Sequence, residues 1–317
     1  MQEMRASVGE FCEVEDFVSA LRTLEANAVA LAADRFGASI ATVRLDDIAV
    51  EVVRTRPVLL MAAAAEGRTG CLVTLDGAPG ARWNGRPVES GDVAVLAPGS
   101  VLAAACRDAC AHAFVSTDSA APFGAAAPGP EGEPLARRGA VRIARTDRGA
   151  HQRFAALVRR VEHVAACRPD LLDQDGPRRA LRDSLADAVL GVLHPAAPAA
   201  ARRRQSPTRH LVVRRVDEYL RASPSRPVYT EELCAALGVS ASALHEAFHA
   251  TFGVSPHRYL KLRRMGMARA MLLSRDAPWR SVKAVALSHG FWHLGQFALD
   301  YRAIYGESPG ETLARAR

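Results

Sequence analysis

Residues 229–251 read YTEELCAALGVSASALHEAFHAT, and this stretch decides the fold of the C-terminal third. Thr230 is the expected N-cap of a short helix whose first turn holds Glu231 and Glu232, carboxylates that suit the positive end of the helix dipole. Leu233, Ala236 and Leu237 recur at helical spacing, and Gly238 offers the left-handed stop. Ser240 is placed to cap a second helix, Ala241–Thr251, with Leu244, Ala247 and Phe248 inward. Short helix, three-residue turn, short helix is a helix-turn-helix, here about residues 230–251.

The pattern returns at about residues 281–305. Ser281 caps Val282–Ser288, with Val282, Val285 and Ala286 inward, and Gly290 is the stop before Leu294–Tyr305, which buries Phe297 and Tyr301. Aligning Leu244 with Phe297 sets Ser240 against His293, Phe248 against Tyr301 and Gly253 against Gly306, and Ser255-Pro256 recurs as Ser308-Pro309. Between the repeats, Ser255 and Pro256 open a long helix, Pro256–Leu273. At 1.5 Å per residue it is ~27 Å long, against ~34 Å for a turn of B-DNA. A rod of that length suits two recognition helices in successive major grooves. An amphipathic helix, Leu211–Leu220, precedes the first repeat, with Leu211, Val212, Val216, Tyr219 and Leu220 expected inward.

The segments GVSASALHEAFHATFGVSPHRYLKLRRMGMARAMLL and SVKAVALSHGFWHLGQFALDYRAIYGESPGETL resemble the AraC/XylS family of bacterial transcription regulators. The resemblance covers about residues 209–317, and its second half carries the signature Gly290-Phe291, Phe297, Tyr301 and Gly306–Pro309. It implies an all-α domain with two helix-turn-helix motifs.

The first turns of a recognition helix reach base edges, while the remainder packs or meets phosphate. With Leu244 and Phe248 inward, Ala241, Ser242, His245, Glu246 and His249 face outward, matching the family's base-reading positions. Serine and histidine hydrogen-bond to bases, and Glu246 either accepts from a cytosine amino group or orients His245 or a nearby arginine. Glu246 departs from the basic residue frequent in the family. In the second helix the equivalent positions are Leu294, Gly295, Ala298 and Leu299, which offer no side-chain hydrogen bonds; thymine methyls and close backbone approach are what they can reach. Trp292, His293, Gln296 and Arg302 are the further candidates there, with Trp292 equally placed to pack on the connector, and His293 standing where the family has Ser or Thr. Of the connector cations Arg258, Lys261, Arg263 and Arg264, one or two are expected on phosphate, chiefly Arg258 and Lys261, and the others solvated.

Outward from this domain the texture changes. Residues 196–208 carry prolines and the basic run Arg202–Arg204 without apolar periodicity, and read as a linker. Residues 1–195 read as an effector-binding and dimerisation domain. Its first forty residues are expected helical, with Asp16 as a cap and Phe17, Leu21 and Leu24 in register. From about 44 to 143 come short apolar runs: Ile48–Val53, Val58–Ala62, Cys71–Leu75, Val93–Ala97, Val101–Ala105 and Ala111–Val115, with turn signals at Asn84-Gly85 and Pro98-Gly99. Six short strands suggest a small barrel or jelly roll, and the AraC/XylS resemblance implies a cupin-like one. Residues 117–134, rich in Ala, Pro and Gly, read as a loop. Two helices follow within about 151–193: His151–Ala166 with Phe154, Leu157, Val158 and Val161 on one face, and Pro177–Leu193 with Leu181, Leu185, Ala188 and Leu193. The chain as a whole is thus expected to be α+β: a cupin-like β-barrel with flanking helices, then an all-α domain.

The net charge of +7 is unevenly shared: residues 202–317 hold 19 Lys and Arg against 9 Asp and Glu, and the rest of the chain is acidic by three. A basic end implies a polyanionic partner, and the helix-turn-helix pair selects double-stranded DNA over an anionic membrane. No apolar run approaches the ~20 residues of a bilayer span, and acidic residues follow the N-terminus where a secretory signal needs an apolar core, so a cytoplasmic location is expected. Six cysteines without pairwise spacing fit reduced thiols.

The expected function is sequence-specific transcription regulation, as an effector-responsive activator with a small organic effector, a homodimer built on the two helical stripes, and RNA polymerase as a further partner. The competing readings are a cupin-type metalloenzyme fused to a DNA-binding module and a ligand-independent architectural protein. A metal-dependent cupin needs several histidines and a carboxylate, and residues 44–143 contain only His112. Cys106, Cys110 and His112, spaced C-x3-C-x-H, are soft ligands by type, but in an apolar strand they read as buried core, so no metal, cofactor or catalytic residue is expected.

Overall fold

The computed structural model describes residues 5–31, 36–76, 80–118, 141–193, 207–224, 226–274 and 281–316. Of the loop read at 117–134, Thr117 instead ends a strand and the residues from 119 on lie outside the described residues, as do the Arg202–Arg204 run and all of the linker but its last two positions, which begin a helix.

Alternating burial along the strands explains the architecture. Twelve strands are described: β1 (Ala6–Phe11), β2 (Leu24–Ala30), β3 (Ala38–Leu45), β4 (Ile48–Thr55), β5 (Val58–Ala64), β6 (Thr69–Thr74), β7 (Arg82–Trp83), β8 (Arg86–Pro87), β9 (Asp92–Leu96), β10 (Val101–Cys106), β11 (Cys110–Thr117) and β12 (Val141–Arg145). They form a seven-stranded sheet, β1-β3-β4-β11-β6-β9-β12, and a five-stranded sheet, β2-β5-β10-β7-β8, antiparallel throughout. The two sheets face each other across a filled layer of Phe17, Ile40, Trp83, Leu96, Leu102 and Phe114. The cupin-like expectation is met as two facing sheets rather than a closed barrel.

Both sheets are covered on their outer faces too, which is why their strands read as continuous apolar runs. Helices α2 (Arg148–Cys167) and α4 (Asp175–Leu193), joined by the single turn α3 (Asp170–Asp173), lay Phe154, Val158, Val161, Leu185 and Val189 on Val50, Val73 and Val115 of the seven-stranded sheet. Complete burial of each such side chain contributes roughly 1.5–3 kcal/mol. The apolar stripes expected to form a dimer interface are therefore spent within the chain.

The opening of the chain departs from the all-helical expectation. Among the described residues there, only α1 (Val14–Ala20) is helical, starting at Glu13 with Asp16 in its first turn, and Leu24 begins β2. Pairing with β3 and β5 overrides the local helical spacing. The turn signals hold: Asn84 and Gly85 both take positive φ (49° and 78°) between β7 and β8, and Gly99 does so (73°) between β9 and β10.

The remaining helices are α5 (Pro207–Arg221), α6 (Thr230–Leu237), α7 (Ala241–Phe252), α8 (Pro256–Leu273), α9 (Val282–Ser288), α10 (Leu294–Tyr305) and α11 (Pro309–Ala316). They do not form a detached body. Val29, Leu59, Met61, Val101 and Ala103, on the outer face of the five-stranded sheet, share one core with Val213, Val216, Leu233, Phe248 and Phe252. Arg269 is bound by Glu13, Asn27 donates to Asp217 at 2.7 Å, and Arg221 meets Glu25 at 3.2 Å.

Candidate nucleic-acid interface

The first helix-turn-helix is α6–α7. Gly238 closes α6 at φ 63°, and the Ser240 hydroxyl accepts from the Ala243 amide at 3.1 Å to start α7. The cap of α6 is Tyr229, not Thr230, and its side chain makes no capping bond. Leu233 and Leu237 are buried, but Ala236 is exposed. In α5 the inward residues are Val212, Val213, Val216 and Leu220, while Leu211 is 44% exposed. Glu232 does more than suit the dipole: hydrogen bonds from Arg226 and Tyr219 hold its carboxyl below the usual range.

The second helix-turn-helix is α9–α10. Ser281 caps α9 through the Ala284 amide at 3.1 Å, and Phe291, Phe297, Tyr301 and Tyr305 pack in file around it. Gly290 has φ 76°, a conformation that strains any other residue, and a Cβ there would lie 1.9 Å from the Tyr229 hydroxyl, which would have to move. The connector α8 starts with the Ser255 hydroxyl accepting from the Arg258 amide at 3.2 Å.

All five expected reading residues of α7, Ala241, Ser242, His245, Glu246 and His249, are exposed. The rings of His245 and His249 stack at 6.0 Å, and Glu246 lies 3.4 Å from Arg209 on α5, so the arginine-orienting reading of Glu246 has its partner. Arg209 was not singled out from sequence, because its neighbour on α7 is thirty-seven positions away. On α10, His293, Gly295, Gln296 and Arg302 are exposed, Leu299 is 67% exposed, and Leu294 and Ala298 are half-buried. Trp292 is 74% exposed and does not pack on the connector. Gln296 donates to Asp300 at 3.0 Å, and Lys261 meets the same carboxylate at 2.5 Å, tying α8 to α10.

The four connector cations divide differently from expectation. Arg258 is exposed. Arg263 is turned inward, donating to the Ser223 carbonyl at 3.0 Å and to Leu220 and Pro224 at the end of α5, and burial pulls its guanidinium below its ordinary value. Arg264 is buried, 4.6 Å from the Tyr229 ring centroid and 5.2 Å from that of Phe291, a cation–π stack rather than a solvated charge. Neither is placed to meet phosphate.

Cys106, Cys110 and His112 are buried in the layer between the sheets, as core residues would be, yet their ligand atoms all lie within 4.8 Å of one another.

Two exposed helix faces on paired helix-turn-helix units define a DNA-binding domain of the double helix-turn-helix class. A family model described as a helix-turn-helix domain matches residues 233–315. Over 102 residues the chain is 36% identical to the probable thc operon regulatory protein of Rhodococcus erythropolis, which covers 32% of this chain and 31% of that protein. It is 34% identical over 100 residues to XylDLEGF operon transcriptional activator 2 of Pseudomonas putida, covering 32% of this chain and 64% of the relative. It is also 43% identical to a solved chain, a probable AraC family transcriptional regulator from Rhodopseudomonas palustris, over 34% of this chain and 98% of that one, with a TM-score of 0.31. Through this C-terminal domain the chain is similar to AraC-type operon regulators. The match spans about a third of the length of the first curated relatives. Those relatives are named as regulators, not enzymes.

Proposed function

We propose that this protein is a sequence-specific DNA-binding transcription regulator, an activator whose N-terminal β domain receives a small organic effector. One observation carries the reading: the expected reading face of α7 is exposed throughout and that of α10 at Gly295 and Leu299, while Leu244 and Phe248 on α7 and Phe297 and Tyr301 on α10 are buried on the opposite side. A face bearing Ser242, His245 and Glu246, all exposed, has the chemistry to meet base edges. Arg258, Arg302 and the basic balance of the domain supply the phosphate contacts.

Effector response is supported by the junction between domains. Clefts of about 560 Å3 and 290 Å3 lie between α1 and α8 and between β2 and α8, so a ligand in either touches both domains. No described helix is long and apolar enough to cross a membrane, and a cytoplasmic location accords with the proposed DNA target. A homodimer and contact with RNA polymerase complete the proposal. The dimer surface is not the stripes of α2 and α4, which the sheet covers.

Selection of duplexes from a randomised pool by the full chain tests the reading. Enrichment of one motif with two half-sites about one helical turn apart is expected. Recovery of unenriched sequence would overturn it.

A further inference from the structure

We propose that Cys106, Cys110 and His112 form a zinc site that joins the two sheets and couples to the first recognition helix. Resting on the regulator reading for its second half, the inference adds a ligand of stated chemistry and a route to the DNA-reading face.

The site is built by the crossing between sheets. Cys106 ends β10 in the five-stranded sheet and Cys110 begins β11 in the seven-stranded sheet, with only residues 107–109 between them. His112 is two residues along β11, so strand alternation sends it to the same face as Cys110. Cys106, Cys110 and His112 are 4%, 7% and 9% exposed. Their ligand atoms lie within 4.8 Å of one another. Around one zinc ion, with Zn–S ~2.3 Å and Zn–N ~2.0 Å, tetrahedral ligand atoms are ~3.5–3.8 Å apart, a closure of about an ångström.

A second observation points to a ligand. The His112 Nε2 is buried without a hydrogen-bond partner, a state that costs free energy unless something is bound there. A hydrophobic core role explains the burial of these three side chains but leaves one nitrogen of the His112 ring unpaired.

The donor set selects the ion. Two thiolates and an imidazole are soft and borderline donors that favour zinc over magnesium, calcium or manganese. Two thiolates also cancel the charge of Zn(II), so the filled site is neutral in an apolar layer; each thiol proton goes to solvent on binding. Three protein ligands leave a fourth position for a water, and Cys110 borders a cleft of about 470 Å3 with Thr55 and Ala109.

The coupling runs through the same short connection. Arg107, between the two cysteines, donates to the Gly253 carbonyl at 3.3 Å, and Gly253 is the left-handed cap that ends α7. A metal bridging Cys106 and Cys110 fixes the backbone from which Arg107 reaches, and so biases the seat of the recognition helix on the five-stranded sheet.

Cobalt(II) is the probe, because its thiolate complexes absorb where the protein does not. The full chain, stripped of metal and reduced, should bind about one cobalt per chain with a sulfur-to-metal charge-transfer band and tetrahedral d–d bands, both erased by added zinc. Cys106→Ser, Cys110→Ser and His112→Ala should each lose the band. A triple variant at Cys12, Cys167 and Cys234 should keep it. Melting curves identify any variant that fails to fold, and the triple variant then decides the site: loss of the band there overturns the assignment, as does a wild type that binds no cobalt. Zinc should also change affinity for the selected duplex several-fold, and Arg107→Ala should erase that change while keeping the cobalt spectrum. Equal affinity with and without zinc overturns the coupling and leaves the site. A chain that binds cobalt but no DNA overturns the regulator reading instead.

Discussion

His245 and Leu299 stand on the proposed reading faces of α7 and α10, and their chemistry sets the division of work that the proposal predicts. His245 offers ring nitrogens for a base contact worth ~1–3 kcal/mol of discrimination, whereas Leu299 offers a methyl touch at or below the low end. His245→Ala should relax preference at particular bases of one half-site. Arg302→Ala should weaken all sequences about equally and flatten the salt slope by ~1. Both comparisons use site selection at fixed salt; a larger shift of preferred sequence from Leu299→Ala would reverse the assignment. A second residue-scale prediction concerns Gly290, where positive φ and the Tyr229 hydroxyl both oppose a side chain. Gly290→Ala should cost about 2 kcal/mol or more in urea unfolding, and an unchanged midpoint would refute it. The exposed face of α7 was legible because helical spacing alone separates it from Leu244 and Phe248. Arg263 and Arg264 were not, since their partners, the carbonyls ending α5 and the Tyr229 and Phe291 rings, are brought to them only by tertiary packing.

At the scale of elements, the long runs of β4, β5, β6, β9, β10 and β11 were readable because burial on both faces makes them uniformly apolar. β2 was not, because Leu24, Glu25, Ala26 and Ala28 carry a helical preference that pairing overrides, and β1 lay within and β3 began in the same stretch expected to be helical, although Ile40, Thr42 and Val43 favour a strand. The surviving helix, α1, sets a pH test. Burial first, with the Glu13 and Asp16 charges adding, raises the Glu15 carboxyl from 4.5 to about 7. Between those values the unfolded chain ionises while the folded chain holds its proton, so this residue's contribution falls as pH rises through the window and is fully lost above it. Glu15→Gln should therefore leave stability near pH 4.5 little changed and raise it at pH 8, by at most roughly 3 kcal/mol at 1.36 kcal/mol per unit. Urea midpoints of both proteins across that range decide it; a difference that does not vary with pH would contradict the burial argument.

At the scale of the molecule, sequence suggested two domains on a linker, and the structure shows a continuous stack: helices, sheet, sheet, helix-turn-helix. The junction was illegible because Leu59, Met61, Val101 and Ala103 lie on strand faces whose neighbours are equally apolar, so alternation gives no sign of what covers them. The consequence is mechanical coupling. Asn27–Asp217 and Glu25–Arg221, joined into one network by Arg221–Asp217, and separately Glu13–Arg269 cross the junction, so a change in the β domain reaches α5 and α8 directly. Asp217→Ala strips partners from Asn27 and Arg221 in a site where Asp217 is fully buried. It should destabilise the chain by roughly 2–4 kcal/mol, read as a lowered melting temperature; a change below experimental error would mean the junction contributes nothing there. The central claim, that the exposed faces of α7 and α10 read DNA, is tested most directly by anisotropy titration of the full chain on its selected duplex across a salt series. The account predicts tight binding at low salt with log K falling linearly and steeply against log salt, as phosphate contacts release counterions. Absence of binding at low salt would contradict it.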